Sequence, residues 1–241
     1  MTEAVHLVPI LQDNYVFVAV SRDGRAVVVD PGEAREVRDF LRERDLILDA
    51  VLITHHHGDH VGGVAELLAT TNPLAKVFVP RRDRGRWDFT TDFVDEGDLV
   101  ETAGFSFRVM ALPGHTLDHV AYHEESRGWL FSGDVLFGLG CGRLFEGTPA
   151  MMHQSLRRLT ALPDATRVFC AHEYTETNLR FLRSLDETRD LSELEQDVRG
   201  KRRQGQPTVP LSLEREKRWN PFLGATNIAE FTTLRERRNH F

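Results

Sequence analysis

The stretch Val51-Leu52-Ile53-Thr54-His55-His56-His57-Gly58-Asp59-His60 decides the reading of this chain, because it runs a buried-strand pattern straight into four imidazoles and a carboxylate. Val51-Leu52-Ile53 is a short apolar run, rich in β-branched residues, of the kind that forms interior strands. Side chains alternate on leaving a strand, so His55 and His57 project to one face and His56 to the other. Asp59 and His60 then open a helix expected over residues 61–70. Imidazoles gathered this closely repel one another once protonated, whereas neutral imidazole and carboxylate are good ligands for zinc, iron or manganese. Two ligand pairs leaving one loop in different directions suit two metal ions side by side.

Outward from this loop, short apolar runs separated by Gly, Pro and Asp read as strands at residues 15–20, 26–30, 50–54, 76–79, 105–112, 128–132 and 167–171. Amphipathic stretches at 33–44, 61–70 and 150–159 read as helices, which together with the strands implies an α/β architecture of helices layered on sheet. Three of the strands end in further ligand candidates: His115 after Pro113-Gly114, Asp134 after Ser132-Gly133, and His172 after Ala171. Loops leaving strand ends are where sites in sheet proteins gather. His55, His57, Asp59, His60, His115, Asp134 and His172 would supply seven ligands, enough for two ions sharing one carboxylate, with Asp134 as the bridge. His119 competes with His115 at a spacing of four, and spacing alone does not choose between them. His6, His123, His153 and His240 read as surface or core residues, and Cys141 and Cys170 as small buried hydrophobes.

The 241 residues are 41% hydrophobic and 28% charged, which excludes a disordered or fibrous chain. A chain of this length buries roughly 70–75% of its unfolded surface, so its core needs no disulfide staples. Two cysteines fit residence in a reducing compartment, and no apolar run approaches the length of a membrane span. The opening Met1-Thr2-Glu3-Ala4-Val5-His6 lacks the basic and apolar regions of a secretory signal, so a cytoplasmic protein is expected. A formal net charge of −7 speaks against a nucleic-acid partner.

Past His172 the strand signals fade. Leu179, Leu182 and Leu185 lie at helical spacing, and Ser192-Glu193-Leu194-Glu195 reads as a capping box ahead of a stripe of Leu191, Leu194 and Val198. Residues 200–210 read as a basic loop, 213–219 as a helix ending before Asn220-Pro221, and 227–239 as a last helix with Ile228, Phe231 and Leu234 on one side. The expected division is therefore a catalytic domain over 1–172 and a helical domain over 173–241.

The Thr54–His60 motif resembles the T-H-x-H-x-D-H signature of the metallo-β-lactamase superfamily, with His115, Asp134 and His172 following in that superfamily's order. More narrowly, Ser132-Gly133-Asp134-Val135-Leu136-Phe137, the run from Gly140 to Thr148, Ala171-His172-Glu173-Tyr174-Thr175, Thr208-Val209-Pro210, Asn220-Pro221-Phe222 and the closing Leu234 to Phe241 resemble the glyoxalase II, or hydroxyacylglutathione hydrolase, family. The resemblance spans the chain from about Ile10 to its last residue. It implies an αββα sandwich followed by a small helical domain, and hydrolysis of S-D-lactoylglutathione to glutathione and D-lactate, the second step of methylglyoxal detoxification. It implies one metal on His55, His57 and His115, a second on Asp59, His60 and His172, and Asp134 bridging; this selects His115 over His119. It implies that Arg143, Tyr174, Arg235 and Arg238 bind the glutathione part, and zinc is the first expectation for both ions, with iron or manganese as alternatives. Three positions depart from the pattern: Phe145 stands where some members have Tyr, Val135 where Thr is frequent, and Gly224 where Arg is common.

The physical chemistry agrees with this implication. Water on a divalent ion is acidified towards a pKa of ~7, making hydroxide available, and a second ion can take the developing oxyanion. Asp59 and Asp134 are the expected catalytic carboxylates, Asp59 by accepting a hydrogen bond from the attacking hydroxide. A thiol of pKa ~8.5 leaves as thiolate without a proton donor, whereas the amine of a lactam needs one. Arg235 and Arg238, three apart on the last helix, share a face and suit the carboxylates of glutathione. A monomer with a small-molecule substrate, without nucleic acid or membrane, is expected. The alternatives are a persulfide dioxygenase with one iron on the same fold, against which the basic tail speaks, and a metal-dependent nuclease of the superfamily.

Overall fold

The computed structural model describes residues 2–83, 85–87, 89 and 91–241. These residues form two compact units, one of Met1–Ala111 with Asp118–Gly133, the other of Leu112–Leu117 with Asp134–Phe241.

In the first unit β1 (Ala4–Ile10), β2 (Asn14–Val20) and β3 (Arg25–Val29) run antiparallel, then β4 (Ile47–Leu52), β5 (Lys76–Pro80) and β6 (Asp92–Val94) continue the sheet in parallel, in the order of the chain. Parallel pairing needs crossovers, and helices supply them. Between β3 and β4 runs α1 (Arg35–Glu43), whose Val37 and Leu41 pack with Val18, Val28 and Val51 of the sheet. The helix expected over 61–70 is instead two pieces, α2 (Gly58–Val61) and α3 (Val64–Thr70). Gly62-Gly63 makes the break: a Cβ on Gly63 would come within 2.7 Å of the Pro31 carbonyl oxygen, so the loop before α1 and the α2–α3 joint meet backbone to backbone. That contact fixes where α2, with Asp59 and His60, stands over the ends of β3 and β4.

The second sheet of this unit is an antiparallel meander of β7 (Leu99–Thr102), β8 (Phe105–Ala111), β9 (Val120–Glu124) and β10 (Trp129–Gly133). Its first hairpin turns through Ala103 and Gly104, both at positive φ (51° and 77°), the backbone that matches strand twist in two-residue turns. The two sheets face one another. The Phe17 ring lies 5.9 Å from that of Phe131, and the fully buried Tyr122 donates its hydroxyl to the Ile53 carbonyl at 3.0 Å.

The second unit begins with a two-stranded hairpin, β11 (Leu136–Phe137) and β12 (Gly140–Cys141), followed by α4 (Pro149–Thr160) and β13 (Arg167–Cys170). Then come α5 (Thr175–Leu185), α6 (Ser192–Arg203), β14 (Leu211–Ser212), α7 (Leu213–Trp219), α8 (Pro221–Gly224) and α9 (Ile228–Asn239). The division between compact units falls elsewhere than at residue 172, because α4 packs on α8 and α9 and β13 pairs with β14.

Three tail expectations are corrected. The capping box does not form: Leu191 is the N-cap of α6, Ser192 is already helical, and its N–H is held by the Asp190 carboxylate at 3.0 Å. The expected loop over 200–210 starts only after Arg203. Intrahelical pairs Asp197–Lys201 and Glu195–Arg199 carry α6 through Gly200, and Gly205 at φ 67° then closes it with the Gln206 N–H on the Lys201 carbonyl. On α9 the buried side is Phe231 and Arg235, whereas Ile228 is 49% exposed.

Candidate metal centre

Each unit assembles its own group of ligand-type side chains. In the first, Asp30 ends β3 in a left-handed conformation (φ 54°) and aims its carboxylate at the loop after β4. Oδ1 accepts the Thr54 N–H at 2.8 Å, and Oδ2 accepts the Thr54 hydroxyl at 2.7 Å and faces His60 Nδ1 at 3.0 Å. One buried carboxylate therefore locks the start of the histidine loop and the ring of His60. With Asp30 accepting from Nδ1, a neutral His60 presents Nε2 as its lone pair, and Nε2 lies 3.5 Å from Asp59 Oδ2. Asp59 Oδ2 also accepts from Asn14 Nδ2 at 2.9 Å. His55, fully buried, brings Nε2 to 3.1 Å from His57 Nδ1, and its ring is 4.0 Å from that of His60. His56 turns the other way, with Nδ1 3.6 Å from Asp118 Oδ1. His119 is buried and stacks on the His55 ring at 4.8 Å.

In the second unit Asp134 stands between two histidines. Its Oδ2 is 3.3 Å from His115 Nε2 and 3.5 Å from His172 Nε2. His115 Nδ1 is 2.8 Å from the Arg143 carbonyl oxygen, and only a protonated Nδ1 can donate there, so in the neutral ring Nε2 carries the lone pair. The chain folds tightly at this point. A Cβ on Gly142 would lie 1.9 Å from the Asp134 carbonyl oxygen, so no other residue fits beside the ligands. His172 leaves β13, and the Tyr174 ring stacks on it at 4.7 Å, nearly parallel at 6°.

This donor geometry fits a cation. A neutral imidazole in these places directs a lone-pair nitrogen at an anionic oxygen, an arrangement that is repulsive by itself and favourable around a divalent ion. Carboxylate and carbonyl acceptors on the far nitrogens fix the tautomers, as is usual behind metal-bound histidine.

Beside Asp134 and His115 in the second unit lies a hollow of about 310 Å³. The sequence-derived residues Arg143, Tyr174, Arg235 and Arg238 all line it, with Phe137, Cys141, Phe145 and Asn239 and with Asn178, which the sequence did not single out. Arg235 is buried and engaged: it donates to the Cys141 carbonyl at 2.8 Å and packs over the Phe222 ring. Arg238 donates from Nε to Asn178 Oδ1 at 3.0 Å, and burial with the nearby Arg235 charge lowers its pKa. Phe145 is 62% exposed, set edge-on to the His115 ring and beneath the Arg143 guanidinium. Val135 is fully buried, and Gly224 ends α8 with open space around it. Cys141 and Cys170 are both free and buried, and burial raises both thiols.

Sequence reasoning passed over Asp30, Asn14 and Asn178. For Asp30 a signal exists: Val27-Val28-Val29-Asp30-Pro31-Gly32 is one more strand ending in an acid at a turn. Asn14 and Asn178 carry none, since only tertiary packing brings their amides to a charged partner.

Residues 8–172 match the model of the metallo-beta-lactamase superfamily, and residues 173–241 match that of the hydroxyacylglutathione hydrolase C-terminus. The chain is 46% identical to a hydroxyacylglutathione hydrolase of Bdellovibrio bacteriovorus over 98% of both chains. It is 44% identical to one of Methylobacillus flagellatus, covering 98% of this chain and 99% of the relative. The crystal structure of BLEG-1 B3 metallo-beta-lactamase shares the fold, with a TM-score of 0.70 at 23% identity over 92% of this chain and all of that one. Matched along nearly its whole length, this α/β chain with its helical C-terminal domain belongs to the metallo-β-lactamase superfamily and, within it, to the hydroxyacylglutathione hydrolase family.

Proposed function

We propose that the protein hydrolyses S-D-lactoylglutathione and related 2-hydroxyacyl glutathione thioesters, releasing glutathione and the 2-hydroxy acid. The observation that carries this reading is the second unit itself. Residues matching the hydroxyacylglutathione hydrolase C-terminus contribute Arg235 and Arg238 to a hollow that also touches Asp134 and His115. In this reading residues 1–172 carry the chemistry and 173–241 complete the place for the thiol part.

His55, His57 and His115 would hold one divalent ion, Asp59, His60 and His172 a second, with Asp134 shared. The family supports that assignment, and so does the lone-pair geometry within each unit. When bound, the ions supply Lewis acidity and acidify water to near neutrality. Zinc is the first expectation, with iron or manganese also suited to the set. The Arg143 carbonyl orients His115 through Nδ1, Asp134 faces the Nε2 atoms of His115 and His172 that would share an ion with it, and Asp30 holds His60 and Thr54 so that the loop keeps its shape on loading. Asp59 keeps an acceptor oxygen that can hold a proton of the attacking water, steadied by the Asn14 amide. Arg143, Arg235 and Arg238 bind the glutathione carboxylates, and Tyr174 walls the thiol side. The thiol leaves as thiolate, which explains why the chemistry calls on no separate acid. Among the described residues no helix is long and apolar enough to cross a membrane. A cytoplasmic monomer that binds no nucleic acid completes the proposal.

The test is thiol release from S-D-lactoylglutathione beside the matching coenzyme A thioester, with metal content measured on the same sample. Turnover of the glutathione thioester alone, with close to two ions per chain, supports the reading. No turnover with two ions bound refutes the substrate, and oxygen uptake with glutathione persulfide by a one-iron form would replace it with a dioxygenase.

A further inference from the structure

The β11–β12 hairpin forms a wall of the hollow through Phe137 and Cys141, and the Phe137 ring stands 5.2 Å from that of Tyr174 and 5.7 Å from that of His172. Two residue pairs, Leu136–Cys141 and Phe137–Gly140, are its whole ladder, too little to hold a hairpin by itself. Its turn also includes Leu139 at φ 58°, a backbone that a branched side chain adopts only under constraint. The constraint comes from α7 and the residue after it. Glu216 Oε2 accepts the Leu139 N–H at 2.7 Å and the Asn220 side-chain amide at 2.9 Å. The same Asn220 Nδ2 reaches the carbonyls of Phe137 at 3.2 Å and Gly140 at 3.0 Å. Both residues are 2% exposed, and neither lines the hollow. A buried carboxylate is costly unless hydrogen bonds offset its desolvation, and here those bonds come from the turn and from the Asn220 amide that grips it.

We propose that Glu216 and Asn220 are positioning residues for thioester recognition: together they clamp the turn between Phe137 and Cys141, and so set the wall against which the glutathione part is held. This rests on the reading of the hollow as the glutathione site. Asn178, donating to the Gly138 carbonyl at 2.9 Å and accepting from Arg238, ties the same turn to a guanidinium of that site. Release of the clamp is therefore expected to loosen recognition more than chemistry.

Cys141 offers a readout independent of substrate, because it sits at the end of the turn at 5% exposure, whereas Cys170 is wholly buried. Glu216→Ala should raise the rate at which an aromatic disulfide reagent labels Cys141 by about tenfold or more, with Cys170 silent. The same variant should raise KM for S-D-lactoylglutathione about tenfold while kcat changes by less than about threefold. Glu216→Gln, whose amide oxygen can accept both donors, should return labelling and KM towards the wild-type values. Should Glu216→Ala fail to fold, labelling both cysteines alike, Asn220→Ser carries the test. Serine keeps the N-cap that Asn220 gives to Phe222 but is too short to grip the turn. Unchanged Cys141 labelling in a folded variant would overturn the clamp, and raised labelling with unchanged KM would overturn its part in recognition. Absence of wild-type turnover on glutathione thioesters would overturn the reading of the hollow, while the labelling rates would still decide whether the clamp holds the turn.

Discussion

The two units present their ligand-type residues in opposite ways. In the first, His55, His57, Asp59 and His60 come from six consecutive residues, and one carboxylate, Asp30, organises them from behind. In the second, His115, Asp134 and His172 are gathered from three separate loops, with a carboxylate at the centre instead of at the back. The first arrangement is built by local geometry: strand alternation, then a one-turn helix halted by two glycines. The second depends on close approaches, such as Gly142 against Asp134, that no local rule anticipates. Local construction makes a motif visible in sequence, and long-range construction makes it sensitive to the packing around it.

That contrast can be broken most severely at Asp134. Asp134→Ala should abolish turnover by about a thousandfold or more and strip most bound metal, since it leaves His115 and His172 without their shared partner. An inactive variant retaining its full metal content would refute the bridging role. Asp30→Asn tests the counterpart in the first unit. Losing the charge behind His60 should lower activity or metal affinity about 10–100-fold, measured by titration with a chromogenic chelator. A loss as large as that at Asp134 would make the two carboxylates equivalent and remove the distinction drawn above.

Smaller effects are expected in the hollow. Changing Arg235 and Arg238 together to Ala should raise KM for glutathione thioesters about tenfold and leave a small neutral thioester untouched. Equal loss on both substrates would make the pair structural, in keeping with the bond from Arg235 to the Cys141 carbonyl. The smallest expected effect concerns pH. Burial pushes Glu216 up to about 7, opposed by its two donors and by the Arg215 charge, with the Cys170 thiol nearby. An acid whose folded pKa lies above its unfolded value favours the fold fully at low pH. Its contribution fades as pH rises from the unfolded pKa to about 7 and is level beyond. Glu216→Gln should therefore flatten part of the decline in stability between pH ~4.5 and ~7, a matter of a few kcal/mol at most, read from urea melts across that range.

Much of the fold was legible. Every strand read from an apolar run is present, and α1, α4 and α7 lie where periodicity set them. The misses have physical causes. Strand β9 was overlooked because Val120-Ala121-Tyr122-His123-Glu124 ends in polar residues, yet all five are buried, the Glu124 carboxylate being met by Arg127 and Ser126. Strand β1 contains His6 and Pro9 and borders a single neighbour, β2, so it shows no continuous apolar run. At the site, the histidine loop could be singled out from residue type and spacing, whereas the arginines of α9 were singled out through the family resemblance. Asp30 left a signal, a strand ending in an acid at a turn, that was passed over, whereas the roles of Asn14 and Asn178 lie wholly in what packs against them.

Residue order alone gathers the ligand-type side chains His55, His57, Asp59 and His60 in one loop, because strand alternation and a helix start set their directions. It also settles the family, through motifs that survive in a linear reading. Tertiary structure decides which nitrogen of each ring is offered, through acceptors as distant in the chain as Asp30 from His60 and Arg143 from His115. It decides as well that Arg235 is half spent on a backbone carbonyl, and that a buried Glu216 holds a turn it does not adjoin in sequence. The reason is common to all of these. A hydrogen bond in a buried site is worth most where water is absent, and only the packed chain determines where that is.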